Sequence, residues 1–122
     1  MARENILVVD DEKDVCDFFQ KTLPEEGYRV LTALNGKDAL TLVRKEKPHV
    51  VLLDIKMPGL DGIEVLEKIK KIDENIAVVM ITGYGDLKTA REAMRLGAFD
   101  YVTKPINLDF IKAVLRDALS EK

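Results

Sequence analysis

Five short apolar runs, separated by longer amphipathic segments, organise this chain of 122 residues. The runs are rich in Val, Ile and Leu, as expected for strands buried on both faces of a parallel sheet. Strands that alternate with helical segments of about ten to fifteen residues indicate repeated βαβ units with right-handed crossovers. The sequence therefore predicts an α/β sandwich with helices on both faces of the sheet. Its strands are predicted at residues 5–9, 29–34, 49–53, 76–81 and 99–103.

The segments between the runs repeat apolar residues at helical spacing. In the first of them the predicted core stripe is Val15, Phe18, Phe19, Thr22 and Leu23, and Pro24 should end or kink the helix near Leu23. Further stripes, all predicted to face the sheet, are Ile63, Leu66 and Ile69; Leu87, Ala90 and Met94; and Ile111, Val114, Leu115, Ala118 and Leu119. Gly97 is well placed as a left-handed cap.

Composition excludes several classes of protein. The length predicts one domain over residues 1–122, and the net charge of -3 with scattered lysines argues against direct nucleic-acid binding. The apolar runs are far too short to span a bilayer, so we expect no membrane association and a cytoplasmic location. The single cysteine, Cys16, has no disulfide partner in the chain and no metal-ligand spacing around it, and it reads as a thiol on the flank of a helix.

Carboxylates follow two of the predicted strands. Asp10 and Asp11 come directly after the first strand and Asp54 after the third. In the usual doubly wound arrangement these strand ends are adjacent, at the edge where open α/β sheets bind ligands. Like charges at about 5 Å repel by roughly 3 kcal/mol at an effective dielectric of 20, which favours a bound cation or a raised pKa. Hard oxygen ligands without nearby Cys or His select Mg²⁺ or Mn²⁺.

Two further strand ends carry a hydroxyl and an ammonium, in Thr82 and Lys104. A metal, a hydroxyl and an ammonium together suit a phosphoryl group, and an aspartate can attack phosphorus to form an acyl phosphate. Asp54 is the candidate nucleophile, and Asp10 and Asp11 would hold the metal. Lys104 and Thr82 would each contact a phosphoryl oxygen. Each residue alone has an ordinary structural explanation, such as helix capping or turn formation; the combination favours phosphoryl chemistry.

The chain resembles the receiver domain of two-component response regulators over nearly its full length. The resemblance rests on Ile6-Leu7-Val8-Val9-Asp10-Asp11-Glu12, on Leu52-Leu53-Asp54-Ile55-Lys56-Met57-Pro58-Gly59 with Asp61-Gly62, on Ile81-Thr82-Gly83, and on Gly97-Ala98-Phe99-Asp100-Tyr101 with Lys104-Pro105. It implies a flavodoxin-like sheet in the order 2-1-3-4-5.

The resemblance also implies roles for individual residues. Asp54 becomes the phosphoacceptor in a Mg²⁺-dependent reaction, the carbonyl of Lys56 joins Asp10, Asp11 and Asp54 as a metal ligand, and Lys104-Pro105 becomes a cis peptide. Thr82 and Tyr101 become the switch pair, with Tyr101 moving from exposed to buried on phosphorylation. Self-catalysed phosphorylation and dephosphorylation would serve signalling rather than metabolism.

Two departures from the family pattern concern the acyl phosphate. Gly83 stands where the family often has alanine, which leaves room for the phosphoryl oxygens and gives the loop more freedom. Lys56 and Tyr84 are large at positions that screen the acyl phosphate from water in the family. We therefore expect a long-lived phosphoryl group.

The phosphoryl donor must be another molecule. His49 is the only histidine, and it lies about five residues and hence ~17 Å from Asp54, at the opposite edge of the sheet, where we expect a surface residue. The family implies a sensor histidine kinase or phosphotransfer protein that docks on the first helix, where Val15 or Phe18 is exposed, and a downstream protein partner.

Several functional classes remain open. The first is a stand-alone regulator or phosphorelay intermediate. The alternatives are the receiver of a multidomain transcription factor and a phosphorylation-independent binding module. A flavodoxin-like FMN protein would need Ser, Thr and Gly after the first strand, where Asp-Asp-Glu stands. An aspartyl phosphatase would need a second carboxylate two residues after the nucleophile, where Lys56 stands.

Overall fold

A five-stranded parallel sheet forms the centre of the molecule, with strand order β2-β1-β3-β4-β5. The structure is a computed structural model, and it describes residues 3–57, 59–83 and 87–120. The predicted fold class and strand order are confirmed. The strands are β1 (Asn5–Val9), β2 (Arg29–Ala33), β3 (Val50–Asp54), β4 (Ala77–Thr82) and β5 (Asp100–Thr103).

The strand ends differ slightly from the sequence prediction, and the difference concerns the site. Asp54 and Thr82 are the last residues of β3 and β4 rather than the first residues beyond them. Each is therefore held by sheet pairing, with Asp54 beside Ile81 and Thr82 beside Thr103. A side chain fixed by a backbone ladder is better positioned than one on a loop.

Four helices connect the strands, a fifth follows β5, and together they cover both faces of the sheet. They are α1 (Lys13–Thr22), α2 (Gly36–Glu46), α3 (Gly62–Ile72), α4 (Leu87–Arg95) and α5 (Leu108–Ser120). As predicted, α1 ends just before Leu23, where Leu23–Glu26 continues as a 3₁₀ turn with Pro24 in its first turn. Gly97 has a φ of +105° and follows α4, which confirms the predicted left-handed cap.

The alternating faces of the strands pack into two apolar clusters. One cluster joins the sheet to α2, α3 and α4, and the other joins it to α1 and α5. Both contain fully buried strand residues, such as Leu53 on one side and Leu52 on the other. The two layers of helices hold the carboxyl ends of β1, β3, β4 and β5 at one edge.

Not every residue of the predicted stripes faces the sheet. Leu87 and Met94 are 46% and 38% exposed, and α4 instead buries Ala90 and Ala93. The prediction was wrong there because a short helix that packs through alanines leaves its larger side chains at the rim of the contact. Phe19 on α1 and Leu23 just after this helix are buried, whereas Phe18 is 40% exposed.

The helices are also short. Across the parts of the chain that the structure describes, none has the length and the apolar character needed to cross a bilayer.

Gly62 allows α3 to begin directly beneath the end of β3. A Cβ atom at this position would lie 2.5 Å from the carbonyl oxygen of Asp54 and 2.7 Å from the Cα of Ile55. Backbone atoms cannot move aside as a flexible side chain can, so the close approach requires glycine. The amide of Gly62 uses this proximity to donate a hydrogen bond of 2.9 Å to the carbonyl of Ile55.

We expect Gly62→Ala to lower the free energy of unfolding by about 3 kcal/mol, because the added methyl group forces backbone shifts in a packed region. Gly27→Ala is the matched control: Gly27 has a φ of +90° but nothing within 4 Å of an added Cβ, so the cost should be about 1 kcal/mol of backbone strain. Urea denaturation measures both. Equal losses in the two variants would contradict the close-approach explanation.

Candidate functional site

Three aspartates converge at the carboxyl edge of the sheet, where the sequence predicted them. Asp10 is fully buried, Asp54 is buried and Asp11 is exposed. Each offers a carboxylate oxygen to the cluster, and these oxygens all lie within 4.8 Å of one another. The cluster follows from the strand order, because β1 and β3 are neighbours and pair in parallel.

Backbone hydrogen bonds beyond the strand ends hold the site rigidly. The amide of Asp10 donates to the carbonyl of Ala33 at 3.1 Å, and the amide of Ile55 donates to the carbonyl of Ile81 at 3.0 Å. The amide of Lys104 donates to the carbonyl of Thr82 at 2.8 Å. The sheet ladder therefore continues into the loops that carry the charged side chains.

Each of the two buried carboxylates uses one oxygen locally. Asp10 Oδ1 accepts a hydrogen bond from the amide of Glu12 at 2.9 Å, and Asp54 Oδ1 accepts one from the amide of Lys56 at 3.1 Å. The other oxygen of Asp10 is buried and has no hydrogen-bond donor among the described residues. An unsatisfied buried carboxylate oxygen is costly, so this atom is a candidate ligand for a cation.

Burial, together with nearby negative charges, makes these carboxylates hard to ionise. Burial raises the pKa of Asp10 from its ordinary 3.8 to about 6; the amide of Glu12 opposes the rise, and the charge of Asp54 adds to it. Burial also raises the pKa of Asp54, against the opposing effects of Lys104 and the Lys56 amide. In the absence of a cation, the pocket therefore stores unfavourable charge at neutral pH.

Lys104 supplies the positive charge of the pocket. Its ammonium nitrogen lies 3.7 Å from Asp10 Oδ2, 3.6 Å from Asp54 Oδ2 and 3.4 Å from Glu12 Oε1. Burial lowers the pKa of Lys104, but the three carboxylates together outweigh burial and raise it. The ammonium group is thus charged at physiological pH. The peptide bond from Lys104 to Pro105 is cis.

Thr82 and Tyr101, the predicted switch pair, lie on neighbouring strands. Thr82 is buried, and its hydroxyl donates to the carbonyl of Val102 at 3.4 Å. Tyr101 is half-buried and packs against the cluster beneath α2, α3 and α4. Lys56 is exposed, and Tyr84 lies outside the described residues.

Two features of the structure were not predicted from the sequence. The carboxylate of Glu12 contacts the ammonium of Lys104. The only sequence signal for this contact is that Glu12 follows Asp10 and Asp11 in an acidic run. His49 is half-buried rather than a plain surface residue, because its Nδ1 accepts a hydrogen bond of 3.0 Å from the amide of Asn5. It directly precedes β3, at the edge opposite Asp54, as expected. Cys16 is buried in the core, and its thiol contacts the carbonyl of Asp10 at 3.5 Å.

Comparison with known proteins identifies the family. The model of the response regulator receiver domain matches residues 6–116. This chain is a response regulator receiver domain. It is 43% identical over 122 residues to sporulation initiation phosphotransferase F of Bacillus subtilis (strain 168), and the match covers 100% of this chain and 98% of that protein.

Other relatives place the receiver domain in longer chains. Transcriptional regulatory protein ZraR of Klebsiella oxytoca is 43% identical over 116 residues, which span 95% of this chain but only 26% of that protein.

Among solved structures, the receiver domain of NtrX from Brucella abortus is 40% identical with a TM-score of 0.92, covering 96% of this chain and 99% of that one. A CheY-like receiver domain protein from Methanospirillum hungatei JF-1 has a TM-score of 0.88 at 33% identity, with 99% and 100% coverage.

The residues of this receiver domain fit a hard divalent cation. The oxygens of Asp10, Asp11 and Asp54 lie within 4.8 Å of one another, and one oxygen of Asp10 has no hydrogen-bond donor among the described residues. The cluster holds no thiolate or imidazole ligand, so its chemistry suits Mg²⁺ or Mn²⁺ rather than zinc.

The raised pKa of Asp10 predicts a pH-dependent stability. A carboxyl whose pKa is higher in the folded state stabilises that state below pH 3.8 and loses this contribution as the pH rises through about 6. In excess chelator, Asp10→Asn should therefore raise the free energy of unfolding at pH 7.5 by roughly 2 kcal/mol and should have little effect at pH 4. Urea denaturation at both pH values is the measurement. A destabilised variant at pH 7.5 would contradict the charge-crowding explanation.

Proposed function

We propose that Asp54 of this receiver domain accepts a phosphoryl group from a phosphohistidine in a Mg²⁺-dependent reaction. The observation that carries the proposal is the position of Asp54 Oδ2, which lies 3.6 Å from the ammonium of Lys104 within the three-aspartate cluster. A carboxylate nucleophile, a cation ligand set and a fixed ammonium group are the parts that transfer of a phosphoryl group needs.

Transfer of the phosphoryl group to Asp54 needs only the phosphohistidine donor and the carboxylate. An oxygen of Asp54 forms a bond to phosphorus as the bond from phosphorus to the donor imidazole nitrogen breaks, and the imidazole leaves with the electron pair. Lys104 neutralises one phosphoryl oxygen, and the hydroxyl of Thr82 turns from the carbonyl of Val102 to donate to another. Hydrolysis of the acyl phosphate later restores the carboxylate and releases inorganic phosphate.

Asp10, Asp11, Asp54 and the backbone carbonyl of Lys56 are the groups that would hold Mg²⁺ in this proposal. The bound ion would neutralise charge on the transferring oxygens and relieve the repulsion among the aspartates. The raised pKa values of Asp10 and Asp54 support this assignment, because a site that is costly to ionise alone gains most from a divalent cation.

The signal would pass through Thr82 and Tyr101. Phosphorylation adds about two negative charges and three acceptor oxygens, which draw the Thr82 hydroxyl inward. The space that Thr82 leaves would let Tyr101 bury its ring further and alter the surface of α4, β5 and α5. The half-buried position of Tyr101 supports this step, because part of the residue is still exposed and could become buried.

The partners follow from the donor chemistry and from the relatives. We propose a sensor histidine kinase or phosphotransfer protein as the donor, since His49 lies at the opposite edge of the sheet from Asp54. The full-length similarity to a sporulation phosphotransferase favours a relay intermediate that passes the phosphoryl group on. The similarity to one quarter of ZraR keeps the second candidate, a receiver that controls an attached transcriptional output.

Incubation with acetyl phosphate and Mg²⁺ tests the proposed acceptor directly. Intact mass spectrometry should show one phosphoryl adduct on the wild-type chain, none on Asp54→Asn, and none in excess chelator. Absence of an adduct on a folded wild-type protein, with a phosphohistidine donor as well as with acetyl phosphate, would contradict the proposal.

Docking of the donor should depend on Phe18. This side chain is 40% exposed on α1 and lines a cavity of about 280 Å³ with Asp14, Val15 and Ile106, beside the Lys104 loop. We expect Phe18→Ala to slow transfer from a phosphohistidine protein at least tenfold and to leave phosphorylation by acetyl phosphate unchanged. A buried neighbour, Phe19, offers the contrast: Phe19→Ala should lower stability. A loss of stability in Phe18→Ala with normal transfer would assign Phe18 to the core.

A further inference from the structure

Glu12 is an acidic residue of the pocket that the three-aspartate cluster does not include. Its side chain is 64% exposed, and its Oε1 lies 3.4 Å from the ammonium of Lys104. This distance is shorter than those from the same ammonium to Asp54 (3.6 Å) and to Asp10 (3.7 Å). Lys104 is 92 residues away in the sequence, so the contact depends on the tertiary fold.

The local structure leaves the Glu12 carboxylate available for this contact. Glu12 is the N-cap residue of α1, but its side chain makes no capping hydrogen bond to the helix. Its backbone amide is already committed to Asp10 Oδ1. The carboxylate therefore contributes to the pocket rather than to the start of the helix.

A cation in the pocket would change which carboxylate Lys104 prefers. The oxygens of Asp10, Asp11 and Asp54 lie close enough together to hold a metal ion, and Glu12 is not part of this cluster. A divalent ion would offset two of the three aspartate charges, and Glu12 would then be the carboxylate outside the cation site that contacts Lys104 among the described residues. The ion pair is partly exposed and therefore weak enough to be exchanged.

We propose that Glu12 is a positioning residue that holds Lys104 in the unphosphorylated state and competes with the phosphoryl group for its ammonium. This inference rests on the proposed function of Asp54 and Lys104. An incoming phosphoryl group must displace Glu12 from Lys104 and also tolerate its negative charge. Glu12 thereby lowers the affinity of the pocket for a phosphoryl group and limits the occupancy of the signalling state.

Substitution of Glu12 should strengthen binding of beryllofluoride, a stable phosphoryl analogue. At saturating Mg²⁺, we expect Glu12→Gln to lower the dissociation constant of beryllofluoride roughly twofold to fivefold, the range expected for loss of one competing exposed ion pair. Asp14→Asn is the matched control, because it also removes one negative charge at the start of α1, but Asp14 makes no ion pair with Lys104 in the described structure. NMR titration measures the constants.

A second measurement needs neither metal nor phosphoryl analogue. In excess chelator, the change in Tm caused by Glu12→Gln should be more negative in the wild-type background than in the Lys104→Met background, because only the former contains the ion pair. A purely local effect of residue 12 on the helix would shift Tm equally in both backgrounds.

The outcomes separate this inference from the proposed function. If the wild-type chain binds beryllofluoride but Glu12→Gln behaves like Asp14→Asn, or if the two Tm changes are equal, the role of Glu12 is wrong and that of Asp54 stands. If the wild-type chain takes neither beryllofluoride nor a phosphoryl group, the proposed function fails and the role of Glu12 fails with it.

Discussion

Apolar strand pairing crowds carboxylates at one edge of the parallel sheet and holds them there. Pairing of β1 with β3 brings Asp10 and Asp54 together whatever their charges, because the apolar strands behind them determine the register. Burial is the main cause of the raised pKa of both groups; the charge of Asp54 adds to the rise at Asp10, and the charge of Asp11 adds to the rise at Asp54. Hydrophobic packing thus holds together carboxylates that would otherwise repel one another. A cation that bound among them would relieve this repulsion.

Lys104 connects this crowded edge to the rest of the molecule. Its amide is bonded to the carbonyl of Thr82, so the ammonium group is anchored to the strand that also carries the candidate switch hydroxyl. Tyr101 lies three residues before it on β5. A change of charge on Asp54 is therefore linked by short covalent and hydrogen-bonded paths to the surface of β5. This continuity gives the proposed signal a physical route of only a few residues.

Much of this arrangement could be predicted from the sequence, because runs of β-branched residues identify buried strands and strand ends identify the site. The prediction placed Asp10, Asp54, Thr82 and Lys104 at one edge without coordinates. Helix faces were harder, since spacing gives the direction of a side chain but not the depth of its contact. For this reason the helical spacing did not reveal that Leu87 and Met94 are exposed. Glu12 and Lys104 are 92 residues apart in the sequence, so their contact depends on the tertiary fold and on side-chain conformation, which no local sequence pattern encodes.

The proposed function requires that Asp54, among several adjacent carboxylates, carries the phosphoryl group. Borohydride reduction of the phosphorylated chain, followed by peptide sequencing in a mass spectrometer, converts an acyl phosphate on aspartate into homoserine and so marks its position. We expect homoserine at position 54 alone. Reduction at position 10 or 11, or a phosphoryl group that resists borohydride because it lies on a hydroxyl such as that of Thr82, would contradict it.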